Sequence, residues 1–193
     1  MEKNFTHGFT LIEILIAIFI FGILGTVAVN LFVSSLTSQR YVLASQKVSD
    51  ETALLMESMS RLVREAKRDD FGECIGAGLN FQIVNVGGFS ALQFIDGNGK
   101  CRYLLFDNVG KKIGEQVSTN RSAGNLTAGL GGYLTSDGIE INDFRFILSG
   151  ESSSDDLQPR VTLFIDATPR NFPSGNPPRL QIQTTLSQRN LDE

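Results

Sequence analysis

The chain opens with a short polar stretch and then turns abruptly apolar. From Phe9 to Val29 every residue is apolar, Gly or Thr, with Glu13 the sole exception. Wound as a helix, these 21 residues rise roughly 32 Å, enough to cross a hydrocarbon core. The pattern then changes period rather than stopping. Val48, Thr52, Leu55, Met59, Leu62 and Ala66 recur at alternating spacings of four and three, which predicts one buried stripe on a helix face. Charged residues fill the gaps, and Glu57 with Arg61 has the favourable i,i+4 order for an ion pair. No Pro occurs before Pro159 and no Gly between Gly25 and Gly72, so one helix from Thr10 to about Asp69 is the simplest expectation. Gly22 and Gly25 are equally compatible with close approach of neighbouring helices and with simple loosening of the helix.

Beyond the helix the period drops to two. Leu79–Val84, Ala91–Ile95 and Arg102–Phe106 read as short strands. Asp96-Gly97-Asn98-Gly99 between the last two is a hairpin signal; it shares its opening with a calcium loop, but Lys100 and Cys101 follow and the closing Glu is missing. Ser122 to Gly132 reads as a flexible Gly-rich loop without the Lys-Ser/Thr of a phosphate cradle. Ile139, Ile141, Phe144, Phe146 and Leu148 alternate with a slip near Asn142-Asp143, which predicts a bulge. Val161, Leu163 and Ile165, then Leu180, Ile182, Thr184 and Leu186, complete an antiparallel run. The expected class is α+β: a long N-terminal helix, membrane-spanning then amphipathic, packed on an antiparallel β-sheet.

Composition narrows the chemistry. The net charge of -4 gives no electrostatic reason to expect nucleic acid as a partner. Charge does not orient the apolar helix either, since Lys3 is offset by Glu2 and the far side carries Arg40 and Lys47. A carboxylate within a spanning helix costs on the order of 3 kcal/mol at the bilayer centre and less near an end, so Glu13 is a functional-site hypothesis beside the plainer reading of a stray interfacial Glu. It lies one turn past Phe9, so a cut between Gly8 and Phe9 would place a new ammonium beside it.

Met1 to Gly8, ending in Gly and followed directly by Phe-Thr-Leu-Ile-Glu, resembles the class III signal of type IV prepilins and type II secretion pseudopilins. A secretory signal would instead place a small-residue cleavage site beyond the apolar core. The resemblance implies cleavage between Gly8 and Phe9 by the membrane-bound prepilin peptidase. It implies N-methylation of Phe9 by the same enzyme, which uses S-adenosylmethionine, so this chain itself needs no cofactor. It also implies that Glu13 pairs with an N-terminal amine during assembly. The implied organisation is a cleaved cytoplasmic leader at 1–8, a transmembrane helix at 9–29, an amphipathic continuation at 30–70 and an exported β-rich head at 71–193, together the pilin ladle fold. The protein would be single-pass in the cytoplasmic (inner) membrane, N-terminus inside, and then in a filament. Its partners would be the prepilin peptidase, other pilin or pseudopilin subunits, the inner-membrane assembly platform and membrane lipid.

Major pilins often carry a Pro late in the span, where Asn30 stands here, a departure shared by many minor components. Tyr133 to Phe146 and the late Leu-Gln-Ile-Gln-Thr-Thr-Leu-Ser-Gln-Arg look like the minor pilins grouped with the J-type pseudopilin and the W-type minor pilin. Cys74 and Cys101 are either small buried thiols or a disulfide; an exported compartment favours the bridge. Major pilins usually bridge near the C-terminus, whereas this pair would staple the helix end to the first sheet.

Catalysis has little to stand on. The only histidine, His7, lies in the leader; two cysteines are too few for a structural zinc site, and Asp155-Asp156 sits in a polar Ser-rich loop. No metal site is expected, and the chain reads as a substrate of an enzyme rather than as an enzyme. Two functions compete: a minor pilin or pseudopilin subunit of a filament, or a single-pass anchored extracytoplasmic domain that binds a partner and never joins one. Pilus, secretion and DNA-uptake machines share the signal, so it does not select among them.

Overall fold

The computed structural model describes residues 8–86, 89–123, 131–151, 157–173 and 175–188. It divides into two compact units, Met1–Leu43 and Ala44–Glu193. The arrangement is α+β: one long N-terminal helix followed by antiparallel sheets, consistent with the expected pilin fold.

Helix α1 (Leu11–Arg64) falls partly in each unit. In the first unit its large apolar side chains from Phe9 to Val33 are all half or more exposed. Two hydroxyls there are satisfied within the helix, Thr26 donating to the Gly22 carbonyl and Thr37 to that of Val33, each at 2.9 Å. Back-bonding of this kind spares those two hydroxyls the need for a water partner, as a lipid setting requires.

In the second unit α1 buries Val48, Thr52, Leu55, Met59 and Val63. Four of these are the expected stripe; Val63 takes the place expected for Leu62, which is only half-buried against the core. The expected Glu57–Arg61 pair does not form, although both side chains are exposed. The helix also stops at Arg64, short of Asp69. Beyond it the chain straightens, Lys67 N–H donating to the Ile95 carbonyl at 2.8 Å and Asp69 N–H to that of Leu79 at 3.0 Å.

The strands form two sheets rather than one. The first is a meander of β1 (Gln82–Val86), β2 (Phe89–Ile95), β3 (Cys101–Asp107), β4 (Lys112–Val117) and β5 (Gly132–Tyr133). The second contains β6 (Ile139–Ser149), β7 (Arg160–Pro169) and β8 (Leu180–Ser187), in that order. Every pairing is antiparallel. Strand β1 starts three residues later than expected, because Leu79 is used in the bridge to Asp69. Strands β4 and β5 were not expected. β4 carries Gly114, Glu115 and Gln116, a composition poor in strand formers, and is held by six register partners on β3.

Two local signals are realised. The hairpin joins β2 to β3 at Ile95 and Cys101, and Asp96 Oδ1 accepts from the N–H groups of Asn98 (2.9 Å) and Lys100 (3.0 Å). Gly99 takes a positive φ of 77°, which a side chain would oppose. The bulge falls in β6 between Ile141 and Asp143, the expected place. Its register slip lets Ile139 and Ile141 on one side and Phe144 and Phe146 on the other all enter one core, with the helix stripe and Leu92, Phe94, Leu104, Leu163 and Ile165.

Candidate functional site

The chemistry-bearing residues of the first unit sit at the start of α1. Thr10 is the residue before the helix and Glu13 is its third position, and they form a reciprocal capping box. The Thr10 hydroxyl oxygen accepts from Glu13 N–H at 3.4 Å. In return Glu13 Oε2 accepts from Thr10 N–H and from the Thr10 hydroxyl, both at 3.2 Å. The box supplies partners to backbone donors that a helix start leaves unpaired, and it puts negative charge where the helix dipole favours it. Its consequence is directional: the carboxylate is turned back toward the N-terminal end of the helix, one residue from the Phe9 nitrogen. Its other oxygen, Oε1, accepts no hydrogen bond among the described residues. The signature Thr-x-x-Glu stands in the sequence, but within a membrane-length apolar run Glu13 reads as a buried charge rather than as a helix cap.

Gly8 and Phe9 precede the helix; a Cβ on Gly8 would meet nothing within 4 Å, and Phe9 is 82% exposed. The segment at the junction is thus open backbone followed at once by a capped helix. Residues 1–7 of the leader, His7 among them, lie outside the described residues, as does Asp155-Asp156.

The second site lies behind β2. Cys74 and Cys101 form a disulfide with their Cα atoms 5.5 Å apart, tying the segment after the helix to the first residue of β3. The sulfurs pack with Ile75 and Ile95 in a small core of their own. Asp69, fully buried, organises the segment: its carboxylate accepts from the N–H groups of Gly72 (3.0 Å), Cys74 (2.7 Å) and Ile75 (2.9 Å). Burial pushes its carboxyl up, but the backbone donors of Ile75, Cys74, Glu73 and Gly72 outweigh this and hold it below its ordinary value. Buried Gln93 of β2 donates through Nε2 to the Cys74 carbonyl. Strand β2 is thereby covered on both faces, with Leu92 and Phe94 toward the helix core and Ile95 toward the disulfide. Sequence reasoning marked both cysteines and passed over Asp69, because only the folded chain reveals that its partners are backbone N–H groups.

A third polar cluster closes the second sheet. Asp166, 1% exposed on β7, accepts from both Nε and Nη2 of Arg179 and from Gln181 at 3.0 Å. The guanidinium, against the effect of burial, keeps this carboxyl below its ordinary value.

Residues 3–29 match the family model described as the prokaryotic N-terminal methylation motif. No curated protein matches the chain. No solved structure matches it either. The motif is a structural pilin signal rather than the mark of an enzyme family, and it supports a prepilin-like pilin or pseudopilin that a peptidase processes. A pilin-type motif implies the peptidase and other pilin subunits as partners. Helix α1, which begins inside the motif, is long and apolar enough to cross a membrane and fits a single-pass anchor.

Proposed function

We propose that this protein is a minor pilin or pseudopilin, cut between Gly8 and Phe9 on the cytoplasmic side, N-methylated on Phe9, and drawn from the inner membrane into a filament with its β-rich head outside. The observation that carries the reading is the methylation motif lying across a capped helix start, where Glu13 Oε2 is held by Thr10. The new ammonium on Phe9 would lie beside that carboxylate, with Oε1 left to accept from an amine, whether its own or a neighbouring subunit's. Pairing matters because an unpaired charge carried into an apolar bundle costs several kcal/mol. The head's disulfide fits an oxidising compartment beyond the membrane. S-adenosylmethionine serves the processing enzyme, and the chain needs no cofactor of its own. The Asn30 position and the placement of the disulfide near the helix end support a minor rather than a major component, of the J- or W-type group.

The test is the mature N-terminus. Mass spectrometry of the membrane-extracted protein should show a chain beginning at N-methylated Phe9. Gly8→Val should leave the full-length precursor, because a branched side chain then stands at the scissile bond. An intact Met1 in the wild type would support an anchored binding domain instead.

A further inference from the structure

Strand β8 pairs with β7 along one side and is the outermost strand of its sheet. Along its other side, among the described residues, no backbone hydrogen bond leads to another element. Proteins usually blunt such an edge with Lys, Pro, a bulge or a covering segment. Here β8 reads Leu-Gln-Ile-Gln-Thr-Thr-Leu-Ser, with no charge, no Pro and an unbroken register. Its core-facing side is also incompletely covered: Leu186 is buried, while Leu180, Ile182 and Thr184 are only half-buried.

Beside the end of β8 lies a cleft of about 880 Å³, lined by Glu57, Ser60, Arg61, Arg64 and Glu65 of the helix side and by Ser187 and Gln188. That volume is typical of ligand clefts, which run roughly 300–1,000 Å³. Two features of its lining are unspent. Arg61 and Arg64, one turn apart, have no carboxylate partner among the described residues. Gln188 is 2% exposed and donates through Nε2 to the Ala66 carbonyl at 2.6 Å, yet its Oε1 has no donor among the described residues. A buried acceptor left in that state is costly.

We propose that this cleft is a docking groove for an extended, acidic segment of another protein. The segment adds as a strand to β8 and lays a carboxylate against Arg61 and Arg64. Only an extended backbone offers the row of N–H and C=O groups that an open strand edge requires. The guanidiniums call for a carboxylate, and planar two-point pairing suits them to it. A small free anion fits less well, because Glu57 and Glu65 line the same cleft and oppose any charge that does not reach the arginines. The proposal stands on the strand edge and the cleft and does not depend on the filament reading.

The test uses the full-length chain in phospholipid nanodiscs as bait for a random dodecapeptide library displayed on phage, with enriched peptides resynthesised and labelled. The expected peptides alternate β-branched residues and carry Asp or Glu at one end. Their binding, read by fluorescence anisotropy, should weaken about tenfold or more in Arg61→Ala/Arg64→Ala, the scale of one charge-assisted hydrogen bond. The melting midpoint of that variant should stay that of the wild type, because both side chains are exposed. Amide exchange across 180–187 should slow when peptide is added. Enrichment of nothing, or of helical or basic peptides, overturns the proposal. So does an affinity indifferent to the double variant, an unchanged exchange rate in β8, or displacement of the peptide by inorganic phosphate at equal concentration.

Discussion

The early turns of α1 and its last ones share a backbone and present opposite surfaces. From Phe9 to Val33 apolar side chains stand all round the helix and remain exposed. From Val48 to Val63 one stripe is sealed in the core, while Glu57, Arg61 and Arg64 stay exposed. A helix apolar all round has no intramolecular face to bury, so its burial must come from lipid or other chains; an amphipathic one is stabilised by its own fold. The same contrast holds for the polar groups. Glu13 is held only by its own first turn, whereas Asp69 is locked by the backbone of a folded loop. Substitutions in the first region should therefore change what the protein joins, and substitutions in the second whether it folds.

The sharpest break of that comparison is Glu13→Val. Its product should be cleaved and exported, since removing a charge eases insertion, and its head should melt as the wild type does. Its content in sheared filaments, measured by immunoblot, should fall severalfold or more; equal content would end the pairing model. Met59→Ala tests the opposite end of the helix. Met59 is fully buried, so its loss should cost about 2–5 kcal/mol by urea unfolding while N-terminal processing stays normal.

Cys101→Ser should come next, at roughly 3–4 kcal/mol for a closed loop of this length. In the wild type, maleimide should label neither cysteine until the unfolded protein is reduced, and labelling without reduction would contradict the bridge. The smallest expected effect on the chain itself is that of Gly22→Ala with Gly25→Ala. A Cβ at either position meets nothing within 4 Å, and Ala favours helix over Gly by roughly 1 kcal/mol. Head stability should not change. A drop in filament content would then assign these glycines to close helix contacts, and unchanged content would leave them as mere looseness.

What was legible in the sequence was local. The apolar run, the hairpin of Asp96 to Gly99, the bulge at Asn142 and most of the helix stripe each rest on neighbours a few residues apart. What was missed depended on distant partners. Gly138 is one case: a Cβ there would run into the Lys47 side chain, because Ser136 bonds Glu51 and seats the loop on the helix. Spacing alone gives no sign of that approach.

The sequence alone determined where a polar start meets an apolar run, where a carboxylate enters an apolar helix, and that a long helix precedes antiparallel strands, because periodicity and charge placement are properties of short windows. Tertiary structure alone decided that the helix ends at Arg64 rather than near Asp69, that Asp69 binds backbone N–H groups beside the disulfide, and that the strands split into two sheets with β8 at an open edge. The reason is common to all three. Each is a competition for backbone hydrogen bonds between segments far apart in sequence, and its outcome depends on which of them the packed core brings together.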